Sequence, residues 1–249
     1  MIEVKTIDEL PFLENKLGKL GRRIVLKNIN KFIKGKIKVI RIPLDNAFLT
    51  FYFEDKDILI IAPKYIAKEV QKLLEKEENY SLFLILSYIV EKYYQKLNEI
   101  NKKVSILRNK LLSEELISLN KVLELIRDLE DLEDKVQILR NTYKLIISEP
   151  SYALIIEDEI FHLLDEIEET YNKITFLIQM QSEILQKKLD IKMERLTKVS
   201  MVFLPATLIA GIYGMNFTKV LPEWQNPYGF LIALTLIFLS SLLTYLWLR

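Results

Sequence analysis

Eight carboxylates and no Lys or Arg lie between Glu149 and Asn172: Glu149, Glu157, Asp158, Glu159, Asp165, Glu166, Glu168 and Glu169. Hard divalent cations take oxygen ligands, so Glu157, Asp158 and Asp165 are candidates for a regulatory cation site. The same run also reads as the solvated acidic face of a helix. Further along, Asp190, Met193, Thr197, Ser200, Leu204, Thr207 and Gly211 recur at alternating steps of three and four, which puts them on one stripe of a helix. Hydroxyls and a glycine share that stripe, which leads into YGMNF at residues 213–217, where an Asn closes an apolar stretch. The chain has no Cys, and His162 is its only histidine. That removes disulfides, thiolate zinc sites and most imidazole chemistry, leaving oxygen as the ligand for any metal. His162 reads as structural or solvent-exposed. No glycine-rich phosphate loop and no nucleophile context appears, so no catalytic site or catalytic cofactor is expected. The net charge of +1, without a basic patch interleaved with aromatics, speaks against nucleic acid as a partner.

The elements that must position these residues are set by charge segregation. Half the chain is hydrophobic and 28% is charged, yet 199–218 and 224–248 carry no charge at all. Crossing a hydrocarbon core of roughly 30 Å takes about 20 helical residues, so each run is long enough to be a membrane span. Lys187, Lys188, Lys192, Arg195 and Lys198 precede the first run and Arg249 follows the second, whereas the connection holds only Lys219. Basic flanks mark the cytoplasmic side. The opening MIEVKTIDEL lacks the basic and apolar regions of a secretory signal, so the residues before the spans are expected in the cytosol and both termini on that side of the cell membrane.

No proline or glycine falls between Pro150 and Pro205. A continuous helix from Ser151 to Tyr213 would be about 95 Å long at ~1.5 Å per residue, and the first span would be its end. Polar residues in a membrane helix turn toward other helices or water, and a single helix cannot enclose water. The stripe therefore predicts several copies of the first span around a common axis, with plain packing by small residues as the simpler reading.

Upstream, Leu125, Leu129, Leu132, Val136, Leu139, Tyr143 and Ile146 form a heptad seam. A second follows the break at Ser148-Glu149-Pro150: Ile160, Leu164, Ile167, Tyr171, Ile174, Ile178 and Leu185. Two long helices packed antiparallel are expected. Residues 1–62 hold five short β-branched or aromatic runs, IEVKT, IVLKNI, IKVIRI, AFLTFYF and ILIIA, which read as a small sheet with a hairpin at FEDKD. A helix is expected over Lys64–Lys76 and another from a cap at Asn79 to about Ser105. The fold class is α+β: an N-terminal α/β module, long antiparallel coiled-coil helices and a two-helix transmembrane region. The expected divisions are 1–149 for the cytoplasmic domain with its helical hairpin, 150–198 for the stalk and 199–249 for the membrane domain. Within the last, the spans are about 199–217 and 227–248, joined by 218–226.

The segment FLPATLIAGIYGMNF, followed by LPEW and a terminal apolar run, resembles the hallmark of CorA-type magnesium transporters. The resemblance implies a funnel-shaped homopentamer in which five first spans line a pore. It puts Gly214, Met215 and Asn216 at the outer mouth, with a ring of amide side chains toward hydrated divalent cations. It puts Thr207 and Gly211 in the polar upper pore, and Leu204, Leu196 and Met193 at apolar constrictions that gate by excluding water. Asp190 stands where the family commonly has Asn, and Glu223 in the outer loop adds negative potential that draws cations in. Magnesium is implied as the transported ion and as a regulatory one. Tyr152-Ala153-Leu154-Ile155 departs from the family's acid-bearing Tyr-x-x-Asp, leaving Asp158 as the nearby acid. The basic C-terminal tail is reduced to Arg249. Zinc, cobalt or nickel transport within the same superfamily is an alternative, and so is a membrane-anchored coiled-coil scaffold.

Overall fold

The computed structural model describes residues 2–6, 9–27, 29–44, 47–55, 57–76, 81–213 and 228–247. It divides into two compact units, 1–178 and 179–249.

In the first unit, five strands form one sheet in the order β1-β5-β4-β3-β2. They are β1 (Ile2–Lys5), β2 (Lys31–Lys34), β3 (Ile37–Leu44), β4 (Ala47–Glu54) and β5 (Asp57–Ile61). β1 joins β5 in parallel, and every other pairing is antiparallel. Glu54 pairs with Asp57 and Asp55 has φ 55°, which closes the expected β4–β5 hairpin. The inner strand β3 is buried continuously from Val39 to Leu44, because both faces of the sheet are covered. On one face Leu13, Val39 and Tyr52 form a cluster joined by Phe12, Leu17 and Val25, brought there by α1 (Glu9–Leu17) and α2 (Lys19–Leu26). On the other, Lys38 donates to the Leu145 carbonyl at 3.0 Å.

One expectation fails in this module. IVLKNI is not a strand: Ile24, Val25 and Leu26 end α2, and the second strand is the unforeseen KFIK of β2. The β-branched pair suggested a strand, but tertiary packing overrides so weak a preference. Ile24 and Gly21 are the buried side of an amphipathic turn whose Arg22 and Arg23 face outward. Gly21 is required there, since a Cβ would run into the Leu13 backbone carbonyl of α1.

Three helices continue the unit. α3 (Lys64–Lys76) has the expected limits. α4 (Ser81–Leu112) runs seven residues beyond Ser105 because Leu107 and Leu111 extend its buried stripe; the Asn79 cap lies outside the described residues. α5 (Leu119–Thr142) and the 3₁₀ turn Tyr143–Leu145 carry the first heptad seam as far as Tyr143, and every member, Ile146 included, is buried. α6 (Pro150–Tyr213) is one helix of 64 residues. It runs antiparallel to α5, as Lys144–Glu157 (3.0 Å) and Arg140–Phe161 (4.8 Å) show. Alongside α4 it runs parallel, through Phe83–Tyr152 (5.0 Å) and Asn101–Thr170 (3.1 Å).

That third helix explains a correction to the second seam. The buried positions of α6 are Ile156, Ile160, Leu163, Ile167, Thr170, Ile174 and Leu177, whereas Ile178 and Leu185 are exposed and Leu164 and Tyr171 are only half-buried. Facing two helices rather than one turns the seam by a residue at alternate positions. Thr170 can be buried because its hydroxyl donates to the Glu166 carbonyl (2.8 Å) and contacts the Asn101 amide oxygen, which offsets the desolvation of a polar group.

The second unit holds the upper part of α6 and α7 (Gly229–Trp247). Among the described residues one helix, α6, carries a stretch long and apolar enough to cross a membrane, none of it buried within the chain, and α7 supplies a shorter apolar stretch, Leu231–Leu246.

Candidate pore-lining stripe and acidic stalk

α6 is uninterrupted through Asp190, Met193, Leu196, Thr197, Ser200, Leu204, Thr207 and Gly211, and all eight are exposed in the single chain. Exposure is large even for the apolar members: 59% for Met193, 60% for Leu196 and 70% for Leu204. The half-buried residues of the same segment are Val202, Pro205, Ala206 and Ile209. At about 100° per residue, Ser200, Leu204, Thr207 and Gly211 share an arc of about 60° whose centre lies about 180° from the centre of the half-buried set. Met193 continues the exposed stripe downward within about 10° of its centre, Thr197 and Leu196 lie about 50° to either side of it, and Asp190 lies about 70° away. The chain thus shields one side of the helix and leaves the hydroxyl-bearing side uncovered. Sequence spacing gave the stripe but could not give the shielded face.

Two of the hydroxyls on the stripe are oriented by their own helix. Ser200 donates to the Leu196 carbonyl and Thr207 to the Phe203 carbonyl, each at 2.9 Å. With the donor spent four residues back, what remains outward is oxygen lone pairs. That is the polarity a hydrated cation requires, because its waters direct hydrogens away from the ion. A Cβ at Gly211 would meet nothing within 4 Å, so no neighbour within the described chain requires glycine there. Pro205 has no N–H and leaves the Met201 carbonyl without its intrahelical donor. Below the apolar stretch, Asp190 accepts from the Gln186 amide at 3.0 Å. Gly214, Met215, Asn216 and Glu223 lie outside the described residues.

The acidic candidates sit lower on α6, in the first unit. Glu157 is engaged by Lys144 of the 3₁₀ turn at 3.0 Å. Its carboxyl is held below the usual range, by the Lys144 ammonium first and the Tyr143 hydroxyl second. Asp158 lies 3.8 Å from His162 with both side chains largely exposed, and Asp165 is exposed. Among the described residues, no three His, Cys, Asp or Glu side chains converge to hold a metal ion. The sequence could not foresee Lys144 as a partner, because it reaches Glu157 only after the chain turns back between α5 and α6.

A sequence profile described as CorA-like Mg2+ transporter protein matches residues 28–249. The chain belongs to that family. The magnesium transport protein CorA of Blochmanniella pennsylvanica is 37% identical over 123 residues, 49% of this chain and 38% of that protein. The cobalt/magnesium transport protein CorA of Thermotoga maritima is 26% identical over 170 residues, 64% of this chain and 48% of that one. The chain therefore spans less than half the length of these curated relatives. The complete CorA magnesium transporter structure from Methanocaldococcus jannaschii shares the fold, with a TM-score of 0.61 at 19% identity, over 97% of this chain and 87% of that one. The family is described as one of Mg2+ transporters, and the mixed sheet and long helices of this chain are the architecture of that solved structure. The profile begins after α1 and α2.

Proposed function

We propose that copies of this chain assemble around a pore that passes magnesium down its electrochemical gradient into the cytosol. The observation that carries this is the uncovered stripe of α6, opposite the shielded face, with Ser200 and Thr207 oxygens presented as acceptors. A polar stripe against lipid is expensive, and neighbouring copies around a water-filled axis relieve that cost. The family's pentamer supplies the copy number. In this reading 199–217 and 227–248 are the spans, 150–198 is the stalk, 1–149 is the cytoplasmic domain, and both termini are cytoplasmic.

Gly214, Met215 and Asn216 form the outer mouth. Magnesium dehydrates reluctantly, and amide oxygens accept hydrogen bonds from its water shell without replacing it. Glu223 attracts the ion, Thr207 and Gly211 admit it, and Leu204, Leu196 and Met193 gate it by dewetting. Asp190 is the acidic ring at the inner end. At about 100 mV a divalent ion gains about 4.6 kcal/mol on entry, from ~2.3 kcal/mol per charge, so no other fuel is needed. Asp158 and Asp165 are the acids left for cytosolic gating, between copies rather than within one, since Glu157 is occupied by Lys144.

The test is magnesium uptake into sealed proteoliposomes under an inside-negative potential, wild type against Asn216→Ala. Influx lost in a variant that still assembles supports permeation through the mouth. Absence of wild-type influx at every internal magnesium level moves the reading to the anchored scaffold or to another ion. Cobalt is the first other ion to try, given the name of the Thermotoga relative.

A further inference from the structure

The same helical arithmetic applied just below the apolar stretch separates a second surface. Lys187, Lys188, Lys192, Arg195 and Lys198 occupy an arc of about 140° centred about 160° away from the Ser200–Gly211 stripe, on the side that the half-buried residues continue upward. Asp190 lies about 130° from the centre of this basic arc, and the other acid of the segment, Glu194, is tied to Lys198 at 2.7 Å. That pair is neutral, so Lys192 and Arg195 carry the charge nearest the membrane. At ~1.5 Å per residue, Arg195 is about 6 Å and Lys192 about 10 Å below Val199. The headgroup layer is roughly 5–8 Å thick on each side, and long basic side chains extend toward it.

We infer that this outward basic face of α6 is a binding surface for anionic phospholipid headgroups of the cytosolic leaflet, with Lys192 and Arg195 as its main contacts. The inference rests on the spanning reading above. Its occupant is fixed by charge and height: a positive face, turned away from the ion path, at the level where lipid phosphates lie. Each base near an anionic surface shifts partition by roughly fivefold. Placing the bases here also keeps them off the stripe, where they would repel an incoming cation.

The experiment uses the full chain carrying Trp224→Phe, which leaves Trp247 at the end of α7 as the one tryptophan. It is reconstituted into vesicles of brominated phosphatidylglycerol or brominated phosphatidylcholine, whose bromines quench tryptophan on contact. The expected result is stronger quenching by phosphatidylglycerol at equal lipid fraction. That preference falls by roughly fivefold per charge removed in Lys192→Gln/Arg195→Gln, and falls in high salt. Equal quenching by both lipids overturns the inference and leaves the spanning reading intact. A preference unchanged in the double variant overturns the assignment to this face. Dissociation of the assembly in the variant makes the face a contact between copies, which also overturns it. Quenching by neither lipid removes the spanning reading itself.

Discussion

Replacing Gly211 separates folding from permeation, because the two respond with opposite sign. In the single chain a Cβ at this position meets no atom within 4 Å, and the backbone is helical. Glycine in a helix interior is about 0.5–1 kcal/mol less favourable than alanine, so Gly211→Ala stabilises the chain by about that amount. For a chain of this size that is a rise of about 1–4 °C in Tm. Gly211→Leu gains nearly as much, leucine being almost as good a helix former. If the stripe faces the axis, every copy now adds a four-carbon side chain at one level of the pore, where the hydrated ion must pass. We expect Gly211→Leu to lower magnesium influx at least tenfold, a barrier increase of about 1.4 kcal/mol, with Gly211→Ala between it and wild type. The assays are thermal unfolding in detergent, size-exclusion chromatography and proteoliposome uptake on the same preparations. A Leu variant that is intact and conducts like wild type refutes the placement of the stripe. One that loses assembly shows instead that Gly211 is a close-packing position between helices.

Further predictions concern the stalk. Leu163→Ala should destabilise by about 2–5 kcal/mol, the range for a buried leucine, and Leu164→Ala by clearly less, since Leu163 is fully buried and Leu164 only half-buried; equal shifts in Tm would return the seam to the register read from spacing. The Tyr171 phenol is pushed up to about 12 by burial first and by the charges of Glu133 and Glu130 next. Because the folded value is raised, its contribution to stability is whole below pH 10 and is lost as pH rises from about 10 to 12; ultraviolet titration of wild type against Tyr171→Phe should show the phenolate appearing last at this residue. Glu157 runs the other way: its carboxyl is lowered by Lys144, so the contribution is present above the ordinary carboxylate range and disappears as pH falls through the lowered value. Lys144→Gln should raise the Glu157 midpoint by carboxyl NMR, and an unchanged midpoint would remove the pair as the cause.

Features that depend only on neighbours along the chain were legible in the sequence. The uncharged runs, their basic flank, the proline-free path from Pro150 to Pro205, the α3 helix and the α5 seam all rest on local composition or a 3.6-residue period. The motif around Gly214-Met215-Asn216 pointed to the family for the same reason, being a contiguous string. Tertiary structure decided what depends on residues far apart in sequence. It made Ile24 and Val25 helical by packing α2 against α1 through Gly21. Seating α6 against both α4 and α5 moved the buried seam to Leu163, Thr170 and Leu177, and the return of α6 past the 3₁₀ turn paired Glu157 with Lys144. It also shielded Val202, Pro205, Ala206 and Ile209 and left Ser200, Leu204, Thr207 and Gly211 open. A helical period says which residues share a face, but only packing says which face is covered.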